Sequence, residues 1–263
     1  MDIENILKSF KQPEDKLFIQ KVLDQAYLCL KNHIYTFTDF IDMHQYGQVM
    51  KIINQLPSDL SYQCFGGYDN AERKMIGFSP FYLSLEVNDF PIQALEFQNR
   101  SATHYKMSHR DYLGVIIKTG IDRSKIGDIL VKNDGAIVFL NQSISSFIQF
   151  NVTKVGKCAV QLKPLDLDKI SIPKPKVKEI HASVASLRVD ALLSSGFSIS
   201  RGKAVQFIKR QKVFKNWILV ENPAENVQIN DILTLRGLGR IKLVYIGNKT
   251  RKNRIHVTIY RYV

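Results

Sequence analysis

The sequence predicts an α+β protein made of small domains in series, the last of them strongly basic. Three observations lead there. Helical and strand periodicities alternate along the chain, its middle third reads β-α-β-β-α-β, and the excess of positive charge lies in the final third. Pattern breaks set the expected boundaries: an N-terminal α/β domain at 1–83, a central domain at 84–165, a linker at 166–182, a compact basic domain at 183–243 and a basic β-hairpin extension at 244–263.

In the first part, residues 14–31 place Leu17, Val22, Ala26, Leu28 and Leu30 around a helix, with Pro13 suited to its first turn. A second helix is expected near 44–56, ending before Pro57, and 60–66 reads as a strand. Gly66, Gly67 and Tyr68 mark a turn. In the central part, 91–98 alternates as a strand, and Ser108 is placed to cap a helix that Gly120 stops. Two strands follow, joined by a turn at Asn133-Asp134-Gly135. A helix at 142–150 and the strand Cys158–Pro164 complete the ferredoxin-like, RRM-like order, which many RNA-binding modules share. The aromatic signature of a base-stacking sheet is not evident in it. Residues 163–180, with Pro173 and Pro175, have the composition of an extended linker.

In the basic part, Ser186 is expected to cap a helix that Gly196 ends, and Ser198 or Ser200 to cap a second helix holding Ala204, Val205 and Ile208 inward. Short strands follow at 213–216 and 218–222, then a turn at Pro223 and a strand from Asp231 to Gly237. From His181 onward there are 15 Lys/Arg against 4 Asp/Glu, which leaves most of the net charge of +13 in this region. Such concentration is the electrostatic footprint of a polyanion partner, because neutralised phosphates release condensed counterions. The alternatives on charge alone are a merely soluble basic domain or attraction to anionic lipid. No basic amphipathic helix with a bulky apolar face supports the latter.

At these residues the sequence resembles the S4 RNA-binding domain. The pattern is Leu187-Arg188-Val189-Asp190, Ser200-Arg201-x-x-Ala204, Ile208-Lys209, Val213 to Asn216, then Pro223, Val227, Asp231 and the run Ile232 to Gly237. The resemblance implies that Arg188, Ser200, Arg201, Lys203, Lys209, Arg210, Lys212, Lys215, Asn216, Trp217 and Arg236 form an RNA-binding surface. Two departures stand out, since that family usually has glycine where this chain has Gln211 and Trp217. Trp217 is suited either to stack on a base or to cover the hairpin's apolar face. The wider chain, with His109 to Leu130, Asn151 to Val160, Gly66-Gly67-Tyr68 and Ala71-Glu72-Arg73, is similar to the bacterial YlmH-type S4-domain proteins. That resemblance implies ribosomal RNA and tRNA as partners, and the large ribosomal subunit in quality control of obstructed peptidyl-tRNA, where the nascent chain gains a C-terminal tail. An older implied link is to cell division.

Secondary RNA contacts are expected at Lys106, His109, Arg110, Arg123 and Lys125, and at the hairpin tip with Lys249, Arg251, Lys252 and Arg254; solvated charge is the alternative for both groups. His109-Arg110-Asp111 resembles a catalytic triplet, but its place at a helix start suits capping and phosphate contact instead. An enzyme of the pseudouridine-synthase type remains the rival. The chain before the linker is short for such a catalytic unit, and Asp190, in an Arg-x-Asp element, lies inside the S4 pattern. G-x-G-x-x-G and G-x-S-x-G are absent. His33, His44, His104, His109, His181 and His256 lack metal-ligand spacing. The expectation is a non-enzymatic binder, without cofactor, metal or small-molecule substrate, acting as a monomer. Cys29, Cys64 and Cys158 fit reduced thiols. With an acidic N-terminus and no apolar run of the ~20 residues a span needs, the expected location is the cytoplasm, away from membranes.

Overall fold

The computed structural model describes residues 3–100, 107–172 and 177–262. The chain forms two compact units, residues 1–173 and 174–263.

In the first unit, helix α1 (Ile3–Lys8) precedes the long α2 (Pro13–Asn32). The inward stripe of α2 is Ile19, Val22, Leu23, Ala26 and Cys29, at the three- and four-residue spacing of one helix face. Leu17 and Leu28 point to solvent. Strand β1 (Thr36–Phe37) leads to α3 (Met43–Ile52), whose N-terminus carries a reciprocal cap between Asp42 and Gln45, each backbone N–H donating to the other side chain at 2.9 Å. Strands β2 (Leu60–Phe65) and β3 (Met75–Pro80) complete a small sheet in the order β1-β3-β2.

The central elements are β4 (Ile92–Asn99), α4 (His109–Lys118), β5 (Ile126–Val131), β6 (Gly135–Asn141), α5 (Gln142–Asn151), β7 (Lys154–Val155) and β8 (Cys158–Leu165). Their order across the sheet is β5-β6-β4-β8-β7, the ferredoxin-like arrangement with a short hairpin strand added at one edge. Strand alternation sends Leu95, Phe97, Val138 and Leu140 to the face packed by Tyr112, Ile116 and Ile148 of the two helices. The opposite face carries Ala94, Ile137 and Phe139, and it is also covered, by Phe40, Met75 and Phe90. The N-terminal and central domains are therefore joined through the sheet rather than strung on a tether.

The second unit is a six-stranded antiparallel sheet with two helices on one face. It comprises β9 (Val177–Val184), α6 (Val189–Phe197), α7 (Arg201–Lys209), β10 (Val213–Lys215), β11 (Ile218–Leu219), β12 (Ile232–Leu235), β13 (Gly239–Lys249) and β14 (Ile255–Tyr262), in the order β11-β10-β12-β13-β14-β9. Leu192, Leu193, Ala204 and Ile208 of the helices close on Leu233, Leu235, Ile241, Leu243, Val257 and Ile259.

Several expectations need correction here. The stretch expected as a linker is divided between the units. Leu167, Ile170 and Ile172 dock on the first unit, while 177–184 pairs with β14 along its whole length, from Val177 opposite Tyr262 to Val184 opposite Ile255. Pro173 and Pro175 lie outside the described residues. The expected hairpin extension is no appendage, because β13 continues past 243 and 244, with a bulge there, and the inward Val257 and Ile259 share the core. The cap of α6 is Arg188, not Ser186, and its first amides donate to the carbonyls of Glu225 and Pro223. Gly196 does not end this helix. Ser198 does, in the left-handed region, and Gly196 is needed because a Cβ there would lie 2.6 Å from Ile241. Ser200 caps α7, its hydroxyl accepting from the Lys203 amide at 3.2 Å.

Candidate nucleic-acid interface

Two of the residues expected to meet RNA, Arg188 and Arg201, are held by one buried carboxylate. Asp190, in the first turn of α6, has a side chain only 5% exposed. It accepts from Arg188 Nε at 3.2 Å and Nη2 at 3.3 Å, and from Arg201 Nη2 at 2.8 Å. Arg188 flanks α6 and Arg201 opens α7, so this Arg-Asp-Arg cluster locks the two helix starts together. Both arginine side chains remain partly exposed, at 38% and 51%. Each retains free N–H edges for an incoming phosphate, already oriented.

Helical geometry then builds a face. Gly202, Lys203, Gln206, Lys209 and Arg210 are exposed and fall within one third of the α7 circumference, opposite Ala204 and Ile208. Lys203, Lys209 and Arg210 make no ion pair among the described residues, and no acid shares the face. Lys212 follows at once, also exposed, and its carbonyl accepts from the Arg236 amide at 2.9 Å, which brings Arg236 beside it. This surface can bind phosphates at several points.

Other expected contacts are engaged within the protein. Lys215 forms an ion pair with Glu225 and donates to the Asn226 carbonyl at 3.1 Å. Asn216 closes the β10–β11 turn, donating to Asp231 at 2.7 Å and accepting from the Ile232 amide at 2.9 Å. Asn216 and Trp217 both occupy the left-handed region, with φ of 49° and 69°, as a tight hairpin turn of the I′ type demands. Gln211 does likewise, at 55°. The two positions where S4 domains usually carry glycine are thus left-handed backbone sites. Trp217 is half-buried at the turn and is not part of the core of this unit.

The second expected patch does not assemble. Lys106 lies outside the described residues. Arg123 turns inward onto the carbonyls of Ile126 and Gly127, and burial, then Arg73, lowers its guanidinium to about 10. Lys125 pairs with Asp39 at 2.6 Å. Among the described residues of this group, His109 and Arg110 are the fully exposed ones and Lys125 stays partly exposed. Desolvation and then the Arg123 charge hold the His109 imidazole below its ordinary range. Asp111 accepts from the Ser108 amide at 2.7 Å and caps α4; these bonds lower its carboxyl. Asp122 caps the short turn that follows, accepting from the Ser124 amide at 2.7 Å. On the terminal hairpin, Arg254 is pinned to the Ser183 carbonyl, whereas Lys249, Arg251 and Lys252 are exposed at the tip. The strand β13 separates that tip from the β12–β13 turn by about 30 Å at the usual strand rise. The tip therefore does not continue the α7 face.

Sequence reasoning missed Asp128. Its carboxylate, on β5, accepts from the Tyr68 hydroxyl at 2.9 Å and from the amides of Glu72 and Arg73 at 2.6 and 3.1 Å. The Arg73 guanidinium reaches the carbonyls of Ile126 and Phe40 at 2.9 and 2.8 Å. Burial holds that guanidinium below its ordinary range, with Asp42 and Asp128 opposing. Gly67, at φ 96°, lets the loop lie against Phe139, where any Cβ would overlap the ring; Tyr68 then packs on Phe139 with ring centroids 5.1 Å apart. The Gly-Gly-Tyr and Ala-Glu-Arg segments are thus a clamp between the N-terminal and central domains. That clamp closes the sheet face on which base-stacking modules of this plan bind RNA.

Among the described residues no group of three His, Cys, Asp or Glu is placed to hold a metal ion, and no helix is long and apolar enough to cross a membrane. The three cysteines are unpaired; burial pushes the Cys64 thiol up to about 11 and also raises Cys29.

Two helices on an antiparallel sheet, with a basic helix face braced by a buried acid, define an RNA-binding protein of the S4 class. Family models for the YlmH N-terminal domain, the YlmH RNA-binding domain and the S4 domain match residues 14–83, 86–169 and 187–233. The chain belongs to the YlmH family. It is 32% identical over 260 residues to the Ribosome-associated protein quality control protein P2 of Bacillus subtilis (strain 168), covering 98% of this chain and 99% of that protein. A solved structure, Cell division protein ylmH from Streptococcus pneumoniae, is 27% identical with a TM-score of 0.50, over 62% of this chain and 98% of that one.

Proposed function

We propose that this chain binds ribosomal RNA through the exposed face of α7 and acts as a non-enzymatic, cytoplasmic factor in ribosome-associated quality control. Its site of action is the large subunit carrying an obstructed peptidyl-tRNA, where the nascent chain receives a C-terminal tail. The observation that carries this reading is the acid-free row Lys203, Lys209 and Arg210 beside two arginines fixed by Asp190. The similarity to the Bacillus subtilis quality control protein supports it. The protein works as a monomer that positions RNA, with tRNA as a second partner and no small-molecule substrate. Asp190 is committed to two arginines, which disfavours an enzymatic role for the Arg-x-Asp element.

The test is co-sedimentation with purified large subunits across a salt series, using Lys209→Glu with Arg210→Glu. Arg201 is a poor target, because its reversal would set a carboxylate beside buried Asp190. Losing two phosphate contacts should weaken binding at least about tenfold and flatten the log–log salt slope by about 2. Unchanged co-sedimentation would overturn the reading. A modification missing from the ribosomal RNA of a deletion strain would favour the pseudouridine-synthase alternative. Full rescue of a division defect by the reversed variant would favour a protein-contact role in cell division, the process named for the Streptococcus pneumoniae structure.

A further inference from the structure

We propose that the helix-free face of the six-stranded sheet is a second RNA site, one that takes unpaired nucleotides. It would stack bases on tyrosines and meet phosphates with Arg240 and Lys242. The inference rests on the reading of the chain as an RNA binder but uses none of the α7 residues.

Register places the groups. Inward Ile241, Leu243, Val257 and Ile259 fix the parity of β13 and β14, so Arg240, Lys242, Tyr260 and Tyr262 project from the other side. They form two cross-strand rows. In one, the Arg240 guanidinium lies over the Tyr262 ring at 5.0 Å. In the next, Lys242 stands directly opposite Tyr260. The rows are about 7 Å apart along the strands, two residues of rise. Beyond them a bulge between Leu243 and Tyr245 shifts the parity of β13, so that Tyr245, opposite Thr258 and 57% exposed, joins this face and borders an open hollow with His181 and His256. At the other end of the face Arg236 covers the Phe214 ring at 5.0 Å.

Charge and ring chemistry select the occupant. Glu179, the acid on this face opposite Tyr260, has His181 3.5 Å away, whereas Lys242 makes no ion pair among the described residues. A positive sheet with interleaved tyrosines suits an anionic chain bearing free π-faces. In a duplex those base faces are already stacked, so a flat aromatic surface favours single strands. An apolar protein partner would find cations where it needs hydrophobic contact.

The experiment uses the full chain and two probes, a fluorescent oligouridylate and an RNA duplex of about sixteen base pairs. Lys242→Glu with Tyr245→Ser should weaken oligouridylate binding about tenfold or more while duplex binding stays within about twofold. Trp217 emission checks that this variant is folded; should it unfold, Lys242→Gln with Tyr245→Leu keeps more of the buried bulk and takes its place. Photo-crosslinks from 4-thiouridine in the oligomer should fall on 240–245 and 258–262. Unchanged oligouridylate binding, equal loss on both probes, or crosslinks confined to 201–212 would each overturn the proposal. If instead the α7 variant leaves subunit and duplex binding intact, the α7 reading fails, and the sheet result is judged separately by the oligouridylate arm.

Discussion

Replacing Asp190 by asparagine keeps the shape of the Arg-Asp-Arg cluster and removes its charge. At about 3 Å and an effective dielectric of about 20, each pair is attractive by on the order of 5 kcal/mol before desolvation. Burying the carboxylate costs several kcal/mol, so most of that attraction is offset in the native state. The arginine side chains are 38% and 51% exposed and their guanidinium groups regain water once released, which reduces the loss further. The expected destabilisation of the second unit is about 2 kcal/mol. In a unit of this size that lowers the melting temperature by roughly 10 °C. Trp217, the single tryptophan, lies in this unit, so its emission during urea unfolding reports this unit. Duplex RNA binding measured well below the melt should weaken about tenfold even though the variant gains net positive charge, because Arg188 and Arg201 lose their fixed orientation. Tighter binding with unchanged stability would refute the view of Asp190 as the orienting group, since charge alone would then account for affinity.

Two further outcomes follow from the backbone and the clamp. Gln211→Gly relieves a left-handed φ of 55° at an exposed site and should stabilise the second unit by about 0.5–1 kcal/mol in the same urea assay; a lower midpoint would contradict it. Asp128→Asn removes the acceptor shared by Tyr68, Glu72 and Arg73 and leaves the Arg73 guanidinium poorly compensated. It should destabilise the first unit by about 3 kcal/mol in far-UV circular dichroism melts, while Trp217 unfolding stays unchanged.

The periodicities were enough to determine the α+β class, the central β-α-β-β-α-β order and the two-helix basic unit, because local spacing dictates which side of a helix or strand is apolar. The exposed cations of α7 were legible for the same reason: Lys203, Lys209 and Arg210 fall opposite Ala204 and Ile208 by helical geometry alone. What the sequence could not determine is which charges find internal partners. Lys215, Arg123, Lys125 and Arg254 read like Lys209, yet Lys125 and Arg254 meet groups more than seventy residues away, Lys215 pairs across a loop with Glu225, and Arg123 folds back onto carbonyls of its own turn. Asp128 was silent because its three partners lie some sixty residues upstream. The tertiary structure alone decided that 177–184 joins the last strand, that the clamp covers the central sheet, and that Arg240, Lys242 and the tyrosines share the helix-free face of the second unit. The first needs pairing between segments more than seventy residues apart and the second loop contacts across some sixty, and the spacing of apolar residues within one segment encodes neither.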